Sequence, residues 1–490
     1  MINCISTNRL NLALLGLLAI PATAQNKPNV LFIMTDQQSY NMMSCMGNKW
    51  LNTPNMDKIA SMGYRFDNTY TVNPVCMPSR FSLLTGHYAS EVGVKENTSA
   101  FEASKVKSIV AEGAIGVIFR KAGYETLYSG KTHLYGTKDV SEYGFKINNT
   151  DPYDGPAIYA EQVFSEIGKT KPDKPFLLFL SFLNPHDICY KAGMDKRYPA
   201  NLSEANVRET GRLLEIQKNM SPSEYRKQIP PRATNTAPIN DEQPDMVSMD
   251  IFPRTWNNDQ LNLYNWMYHR LTESVDTQIG RVLTALKNAG LEENTIIVFT
   301  SDHGDMNGSH GLILKNVLFE ECQRVPFIFA GKGIKQNYSD KTTLVCNGLD
   351  FLPTICDLAG ISSPKDIPGI SLKPYLTGEG QKAERKYILT EDYNGYQITD
   401  GRYKYTIYEL PGNPEILTDL QTNPGETINY SKDSSYKEKK NTLKKELMAN
   451  LSKRGLTPLP QNRTIENLRK FEKEKKGKTG NGKKNNEDEG

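Results

Sequence analysis

Cysteine, histidine and an excess of either charge are all scarce in this sequence. Seven cysteines among 490 residues are too few for disulfides to be the scaffold of an exported protein of this size. The 59 basic and 56 acidic residues nearly cancel, leaving a net charge of +3. That balance favours no polyanionic partner, so we expect no binding to nucleic acid. Beyond residue 24 no apolar run has the length of a membrane helix, so we expect no stable insertion into a membrane.

The N-terminal residues have the order of a secretory signal. Arg9 precedes a short apolar run from Leu10 to Pro21, and the small residues Ala22-Thr23-Ala24 close it. We therefore expect residues 1–24 to be removed and the mature protein to be secreted or periplasmic. Six cysteines then remain, and their pairing stays open because connectivity cannot be read from a sequence.

Short apolar runs alternate with helical patterns along the chain. Four runs are typical of strands buried on both faces: NVLFIMT (29–35), FLLFLSFL (176–183), TIIVFT (295–300) and VPFIFA (325–330). The clearest helical pattern, residues 259–289, has apolar residues at spacings of three and four and a stop at Gly290. This alternation predicts an α/β fold with a large, mostly parallel central sheet flanked by helices.

Polar side chains follow three of these runs. Asp36, His186 and Asp302 each come at or just after the end of a predicted strand. In open α/β sheets the ligand crevice lies at the carboxyl ends of the strands. We therefore expect these residues to meet at one edge of the sheet.

Composition divides the chain into segments. We predict a main domain at 25–378, interrupted at 201–255 by a polar, proline-rich insertion with weak periodicity. Short tyrosine-rich segments such as GRYKYTIYEL indicate a smaller C-terminal subdomain at 379–465 with an antiparallel sheet. Residues 466–490 form a basic tail that is too polar to order itself.

The most informative segment is CMPSRFSLLTG, residues 76–86. Pro78 fits the first position of a helix, whose free N–H groups favour negative charge beside Cys76, and Arg80 could hold an oxyanion bidentately. The segment matches the signature C-x-P-S-R-x-x-x-L-T-G at every specified position, so the chain resembles the formylglycine-dependent sulfatases of the alkaline-phosphatase-like superfamily. The resemblance implies that superfamily's α/β sandwich. It also implies that a formylglycine-generating or anaerobic sulfatase-maturating enzyme converts Cys76 to formylglycine, an aldehyde that hydrates to a diol.

The resemblance further implies a Ca²⁺ site. Carried over to this chain, its ligands are Asp36, Gln37, Asp302 and His303, and hard oxygen donors suit this ion. Gln37 stands where many family members have a second aspartate, so the site carries one negative charge fewer. We expect that difference to weaken Ca²⁺ binding and to leave the ion more electropositive toward sulfate.

The remaining motif residues supply cations and titratable rings. Lys131 and His133 are two positions apart and would share one face of an extended segment. By the resemblance, Lys131, Lys315 and the metal offset charge on the sulfate group. We expect His186, helped by Lys315, to protonate the leaving alkoxide, and His133 to be the base that regenerates the aldehyde. His310 is either a substrate-binding pocket residue or a partner behind the pocket.

These features favour a sulfatase that acts on a carbohydrate, such as a glycosaminoglycan or another sulfated glycan. A phosphonate monoester or phosphodiester hydrolase of the same superfamily is the first alternative. The second is a non-catalytic sulfated-glycan binding protein, and the intact set of motif residues argues against it. The sequence leaves the sugar, the sulfate position and exo or endo action open.

Overall fold

The computed structural model describes residues 27–97, 102–135, 140–148, 150–171, 174–193, 208–236, 256–409 and 414–457. The predicted signal peptide and basic tail lie outside the described residues, as do residues 201–207 and 237–255 of the predicted insertion. The strands are β1 (Asn29–Asp36), β2 (Gly63–Phe66), β3 (Thr69–Tyr70), β4 (Glu125–Gly130), β5 (Lys146–Ile147), β6 (Phe176–Pro185), β7 (Thr295–Ser301), β8 (Phe327–Gly331), β9 (Tyr338–Asp340), β10 (Val345–Cys346), β11 (Ile388–Glu391), β12 (Gly395–Thr399), β13 (Tyr403–Tyr408) and β14 (Glu415–Asp419). The α-helices are α1 (Pro54–Ser61), α2 (Cys76–Thr85), α3 (Ala103–Gly113), α4 (Ile115–Lys121), α5 (Gly155–Thr170), α6 (Ile188–Gly193), α7 (Arg208–Asn219), α8 (Pro222–Gln228), α9 (Asn258–Asn288), α10 (Glu320–Gln323), α11 (Asn347–Leu358), α12 (Lys373–Thr377) and α13 (Lys437–Lys453).

Eight strands form the central sheet, in the order β5-β4-β6-β1-β7-β8-β2-β9. The five strands from β5 to β7 run parallel, and Val30 of β1 pairs with Leu177 of β6 and Ile296 of β7. β8 runs antiparallel to both of its neighbours, β7 and β2. The predicted mostly parallel sheet is therefore confirmed, with one reversed strand that the apolar pattern does not reveal.

Both faces of the sheet are covered. Alternate residues of β1 point to opposite sides, so Phe32 packs with Phe351 of α11 while Ile33 packs in the cluster that holds Ile279 of α9. All eight residues of β1 are buried. Burial on both sides explains why the run 29–35 is almost continuously apolar.

Three helices differ from their sequence-based predictions. α2 begins at Cys76, so Pro78 is the third residue of the helix rather than the first. A proline is tolerated there because the first N–H groups of a helix have no partner within it. In the predicted irregular insertion, 208–219 and 222–228 are helical, and Ser221 caps the second helix by accepting from the N–H of Glu224.

The predicted C-terminal antiparallel sheet is confirmed. It contains β11, β12, β13 and β14 in chain order, and the tyrosine-rich segment supplies β13. One side packs on α13 through Leu443, Leu447 and Leu451, which lie four residues apart on one helix face. Lys404 of β13 is buried and forms ion pairs with Glu320 (3.1 Å) and Glu426 (2.8 Å).

No helix among the described residues combines the length and apolar character needed to cross a bilayer. The six cysteines of the described chain, from Cys45 to Cys356, are all free thiols. The described fold is thus held together by its apolar clusters and buried ion pairs.

Candidate active site

The predicted site residues come from separate segments that end at one edge of the central sheet. β1 ends at Asp36, α2 begins at Cys76, and the remaining strands end just before their site residues. Because β4, β6, β1 and β7 are parallel neighbours, their carboxyl ends lie side by side. This edge carries Asp36, Cys76, Lys131, His186, Asp302 and His303.

Arg80 connects these segments. Its side chain is 1% exposed and donates from Nη2 to Asp36 Oδ2 and from Nε to Asp302 Oδ2, both at 2.8 Å. Nη1 donates to the backbone oxygen of Lys131 (2.9 Å) and to Ser181 Oγ (2.8 Å). These bonds occupy most of the donors of the guanidinium. Arg80 therefore orients the two carboxylates, a different role from the expected direct hold on an oxyanion.

The inner atoms of the site form a cluster, the cation group, that could hold a metal ion. One ligand atom from each of Asp36, Cys76, Asp302 and His303 lies within 4.8 Å of the others. His303 Nε2 is 3.9 Å from Asp36 Oδ1 and 3.7 Å from Asp302 Oδ1. Ligands placed 2.3–2.6 Å from one Ca²⁺ and at right angles are about 3.3–3.7 Å apart. The spacing thus fits a cation at the centre of the group.

Two further features match this fit. His303 Nδ1 lies 2.9 Å from the carbonyl oxygen of Gly304, a bond that places the ring proton on Nδ1 and leaves Nε2 free to coordinate. Burial and the neighbouring Asp36 raise the pKa of Asp302. Two carboxylates in one dry site repel each other, and a divalent cation between them would remove that penalty.

Cys76 lies beside this group, fully buried and surrounded by positive charge. Lys315 Nζ donates to its sulfur at 2.9 Å, and His303 Nε2 is 3.2 Å away. Burial alone would raise the pKa of the thiol, but Lys315, Lys131 and His303 outweigh burial and hold it well below its ordinary value. Lys131 Nζ is also 3.0 Å from Asp36 Oδ2. The position therefore stabilises negative charge, whether on sulfur or on an anion bound there.

The two predicted catalytic histidines both lie near Cys76, since each interacts electrostatically with its side chain. His133 has a φ of +42°, so the segment 131–133 is not extended as expected, although both ends of it face the site. Burial, and then Lys131 and Lys315, lower the pKa of His186 to about 3. Its ring is therefore neutral near pH 7 before an anion binds.

Gln37 and His310 lie differently. The backbone N–H of Gln37 donates to Asp302 Oδ1 at 3.1 Å, so this residue adjoins the cation site. His310 instead stacks on Phe319, with ring centroids 3.9 Å apart, and its ring contacts Asn235. None of the contacts described for His310 involves Cys76, Lys131 or Lys315. Its position favours the second of its two expected roles, a partner behind the pocket.

Sequence reasoning did not single out Ser181, Cys189 or Asp305. Ser181 binds Arg80, and Cys189 Sγ donates to Gln37 Oε1 at 3.1 Å. Asp305 accepts from Gln37 Nε2 at 2.6 Å. The only available signal was its place in the segment SDHGDMNGSHG directly after β7, where the motif draws attention to Asp302 and His303.

Asp187, next to His186, is a buried acid outside the cation group. Tyr153 donates its hydroxyl to Asp187 Oδ1 at 3.0 Å, and Oδ2 has no partner among the described residues. Burial, with a smaller contribution from Glu209, raises the pKa of Asp187 from 3.8 to about 8. The side chain is therefore protonated in the folded protein at neutral pH.

This protonation makes stability depend on pH. Between pH 3.8 and about pH 8 the folded chain keeps the Asp187 proton that the unfolded chain has lost, so stability falls as pH rises through this window. The asparagine side chain of Asp187→Asn is neutral at every pH, so this variant does not lose stability in this way as pH rises. We expect urea unfolding to show a variant-minus-wild-type difference that grows with pH, by at most about 1.4 kcal/mol per pH unit. A difference that does not change with pH would contradict the assignment.

The chain matches two family models. A model described as "Sulfatase" matches residues 28–361, and one described as "N-sulphoglucosamine sulphohydrolase, C-terminal" matches residues 308–453. The first includes every residue of the site described above. The second includes the C-terminal sheet and α13.

Sequence relatives and a similar solved structure are also named as sulfatases. A Δ4,5-hexuronate-2-O-sulfatase of Bacteroides thetaiotaomicron is 32% identical over 86% of this chain and 88% of its own length. An N-acetylglucosamine-6-O-sulfatase of the same organism is 31% identical over 85% and 87%. The structure of a 2-O GAG sulfatase is similar with a TM-score of 0.70 and 29% identity, covering 88% of this chain and 93% of that one.

Proposed function

The chain belongs to the sulfatase family and is a sulfuric ester hydrolase, and we propose that it removes an O-sulfate group from a sulfated saccharide. The observation that carries this proposal is the position of Cys76. It opens a helix at the point where a group of side chains that could hold a cation, two lysines and two histidines converge. That arrangement suits a nucleophile that attacks an anionic ester.

We propose that the working nucleophile is formylglycine derived from Cys76. Its hydrated aldehyde would supply a hydroxyl to attack sulfur and a second hydroxyl to release the product, which the thiol cannot do. The exact match to the signature over 76–86 supports this modification. The proposal also requires a maturation enzyme as a partner during synthesis.

We propose Ca²⁺ as the cation, held by Asp36, Gln37, Asp302 and His303. Bound there, it would act as a Lewis acid on the sulfate group. The chain's own share is charge placement. Lys315 contacts the Cys76 side chain, and Lys131 contacts the neighbouring Asp36, so each can receive a sulfate oxygen. Because Lys131 is buried and the Lys315 side chain is only 12% exposed, these ammonium groups stabilise developing charge more strongly than they would in water.

His186 and His133 would move the protons. Burial, and then Lys131 and Lys315, hold the pKa of His186 low, and the charge of a bound sulfate ester would offset the contribution of the two lysines. With that offset the ring can take up a proton and pass it to the leaving sugar oxygen. Lys315 stays positively charged, because nearby Cys76, Cys189 and Asp36 outweigh its burial and raise its pKa, and it can assist by stabilising negative charge on the leaving oxygen. His133, which interacts electrostatically with the Cys76 side chain, would act as the base.

The saccharide substrate rests on the relatives. Both relatives from Bacteroides thetaiotaomicron are named for O-sulfates of sugars, and the similar structure is named as a GAG sulfatase. We therefore propose a glycosaminoglycan fragment or another sulfated glycan. We also propose export, on the signal-like order of residues 1–24.

The proposed acid predicts a dependence on the leaving group. His186→Ala should lower kcat/KM on a sulfated sugar by about 10²- to 10⁴-fold, because an alkoxide leaves poorly without a proton. On 4-nitrophenyl sulfate the loss should be much smaller, since a nitrophenolate needs none. As a matched control, His87→Ala changes a half-buried ring paired with Glu91 and should leave both rates unchanged. Equal losses on the two esters would contradict the assignment.

The function itself is tested by a screen of defined sulfated mono- and disaccharides, with released sulfate measured by ion chromatography. We expect one sugar sulfate position to be hydrolysed preferentially. A phosphonate monoester cleaved faster than every sulfate ester would overturn the substrate class and favour the phosphonate alternative.

A further inference from the structure

The side-chain amide of Gln37 is held at both ends. Nε2 donates to Asp305 Oδ2 at 2.6 Å, and Oε1 accepts from Cys189 Sγ at 3.1 Å. Gln37 is 0% exposed, so water does not compete for these bonds. The amide therefore has one defined orientation.

Asp305 sets that orientation because an ionised carboxylate only accepts hydrogen bonds. Its Oδ2 also accepts from the hydroxyl of Tyr264 at 2.8 Å, and its Oδ1 accepts from the N–H of Asn307 at 2.7 Å. Asp305 is 1% exposed. With these donors around it, Asp305 requires the NH₂ end of Gln37 to face it, and the carbonyl oxygen must point the other way.

Gln37 itself adjoins the candidate metal ligands Asp302 and His303. The backbone N–H of Gln37 bonds Asp302 Oδ1 at 3.1 Å, and that same oxygen is 3.7 Å from His303 Nε2. Cys189, which touches the carbonyl oxygen, interacts electrostatically with both Lys315 and Cys76. Gln37 thus separates the cation group from a buried carboxylate.

We propose that Asp305 is a positioning residue, which fixes the Gln37 carbonyl oxygen as a metal ligand and places behind it the negative charge that a glutamine lacks. The inference rests on the cation site of the proposed function. The sequence alone leads us to expect one negative charge fewer at the site. In this proposal that charge is still present, on Asp305, which lies behind Gln37. Residues that hydrogen-bond a metal ligand commonly change metal affinity by about 10- to 100-fold, which is the effect expected of Asp305.

The isosteric exchange Asp305→Asn tests the orientation. The new amide has one acceptor oxygen where the carboxylate has two, so it cannot accept from Gln37, Tyr264 and Asn307 together. The Gln37 amide is then held less firmly, and the negative charge behind it is removed. We expect the Kd for Ca²⁺ to rise by about 10- to 100-fold.

Gln37→Glu provides the matched background. Alone, it sets one carboxylate against another, across the present 2.6 Å contact, so it should gain little affinity or lose some. Combined with Asp305→Asn, it restores a donor facing an acceptor and keeps the same total charge as the wild type. Asp305→Asn should therefore weaken Ca²⁺ binding beside Gln37 and tighten it beside the introduced glutamate.

The measurement is calorimetric titration of CaCl₂ into the four metal-free proteins, with circular dichroism to confirm folding. Opposite signs of the Asp305→Asn effect in the two backgrounds support the role, whereas equal effects, or none, would overturn it. If Asp305→Asn does not fold, the comparison of Gln37→Glu with the double variant decides, because the double variant must bind more tightly. Absence of Ca²⁺ binding by the wild type would instead contradict the cation site, and the inference with it.

Discussion

Replacing Cys76 with alanine should abolish sulfate release, lowering kcat by roughly a millionfold, the scale expected when a covalent nucleophile is removed. The exchange removes one sulfur from a fully buried position and leaves Arg80, the lysines and the histidines in place. Binding of the sulfated sugar should therefore persist. Initial rates on the best saccharide of the screen, together with its Kd by calorimetry, separate these two effects.

Cys45→Ala is the matched control for this prediction. Cys45 is also a free thiol, half-buried beside Asp57 rather than at the sheet edge. Its replacement should leave the rate unchanged. Turnover by Cys76→Ala at a rate near that of the wild type would eliminate Cys76 as the source of the nucleophile. It would make the chain's similarity to sulfatases one of fold and family only.

Replacing Arg80 with leucine should be the most damaging change to stability at the site. It leaves Asp36 and Asp302 buried without the cation that now bonds both at 2.8 Å. Breaking a buried ion pair in this way costs about 3–5 kcal/mol. Ca²⁺ between the carboxylates should recover part of the loss, so urea unfolding should show a larger penalty in EDTA than in CaCl₂.

Arg281→Leu tests whether burial is the cause. Arg281 bonds Glu161 through two N–H groups at 2.8 Å, but both side chains are over one-third exposed. Exposed pairs of this kind contribute little, so the variant should unfold close to the wild type. If the two arginine variants lost the same stability, the account of Arg80 as the centre of a dry ionic cluster would be wrong.

Much of the fold could be predicted because burial on both faces leaves a visible mark. The runs that became β1, β6, β7 and β8 are apolar at nearly every position, and helix α9 shows its period of three to four over 31 residues. The meeting of Asp36 and Asp302 follows from the same rule, since parallel strands end at one edge. The reversed direction of β8 leaves no such mark, because an antiparallel strand buried on both faces is equally apolar.

The sequence predicts the site residues that lie in a recognisable motif. It does not predict those whose role depends on contact with a residue far away in the chain. Cys76 and Arg80 lie in one short signature, whereas Asp305 matters because it touches Gln37, 268 positions away in the chain. The sequence predicts that Arg80 binds an oxyanion, because it shows the charge of the side chain. It does not show the two carboxylates that accept hydrogen bonds from the guanidinium. Likewise, neither residue type nor spacing indicates that His310 stacks on Phe319.

In the proposed mechanism, catalysis depends on an aldehyde at position 76. Preparations made with different amounts of a maturation enzyme can be digested, and the Cys76 peptide quantified by mass spectrometry as thiol or as the lighter aldehyde. We predict that sulfate released per mole of protein rises in proportion to the aldehyde fraction and extrapolates to zero. A preparation in which all of Cys76 is thiol, yet which hydrolyses the sugar sulfate at the same rate, would contradict the account.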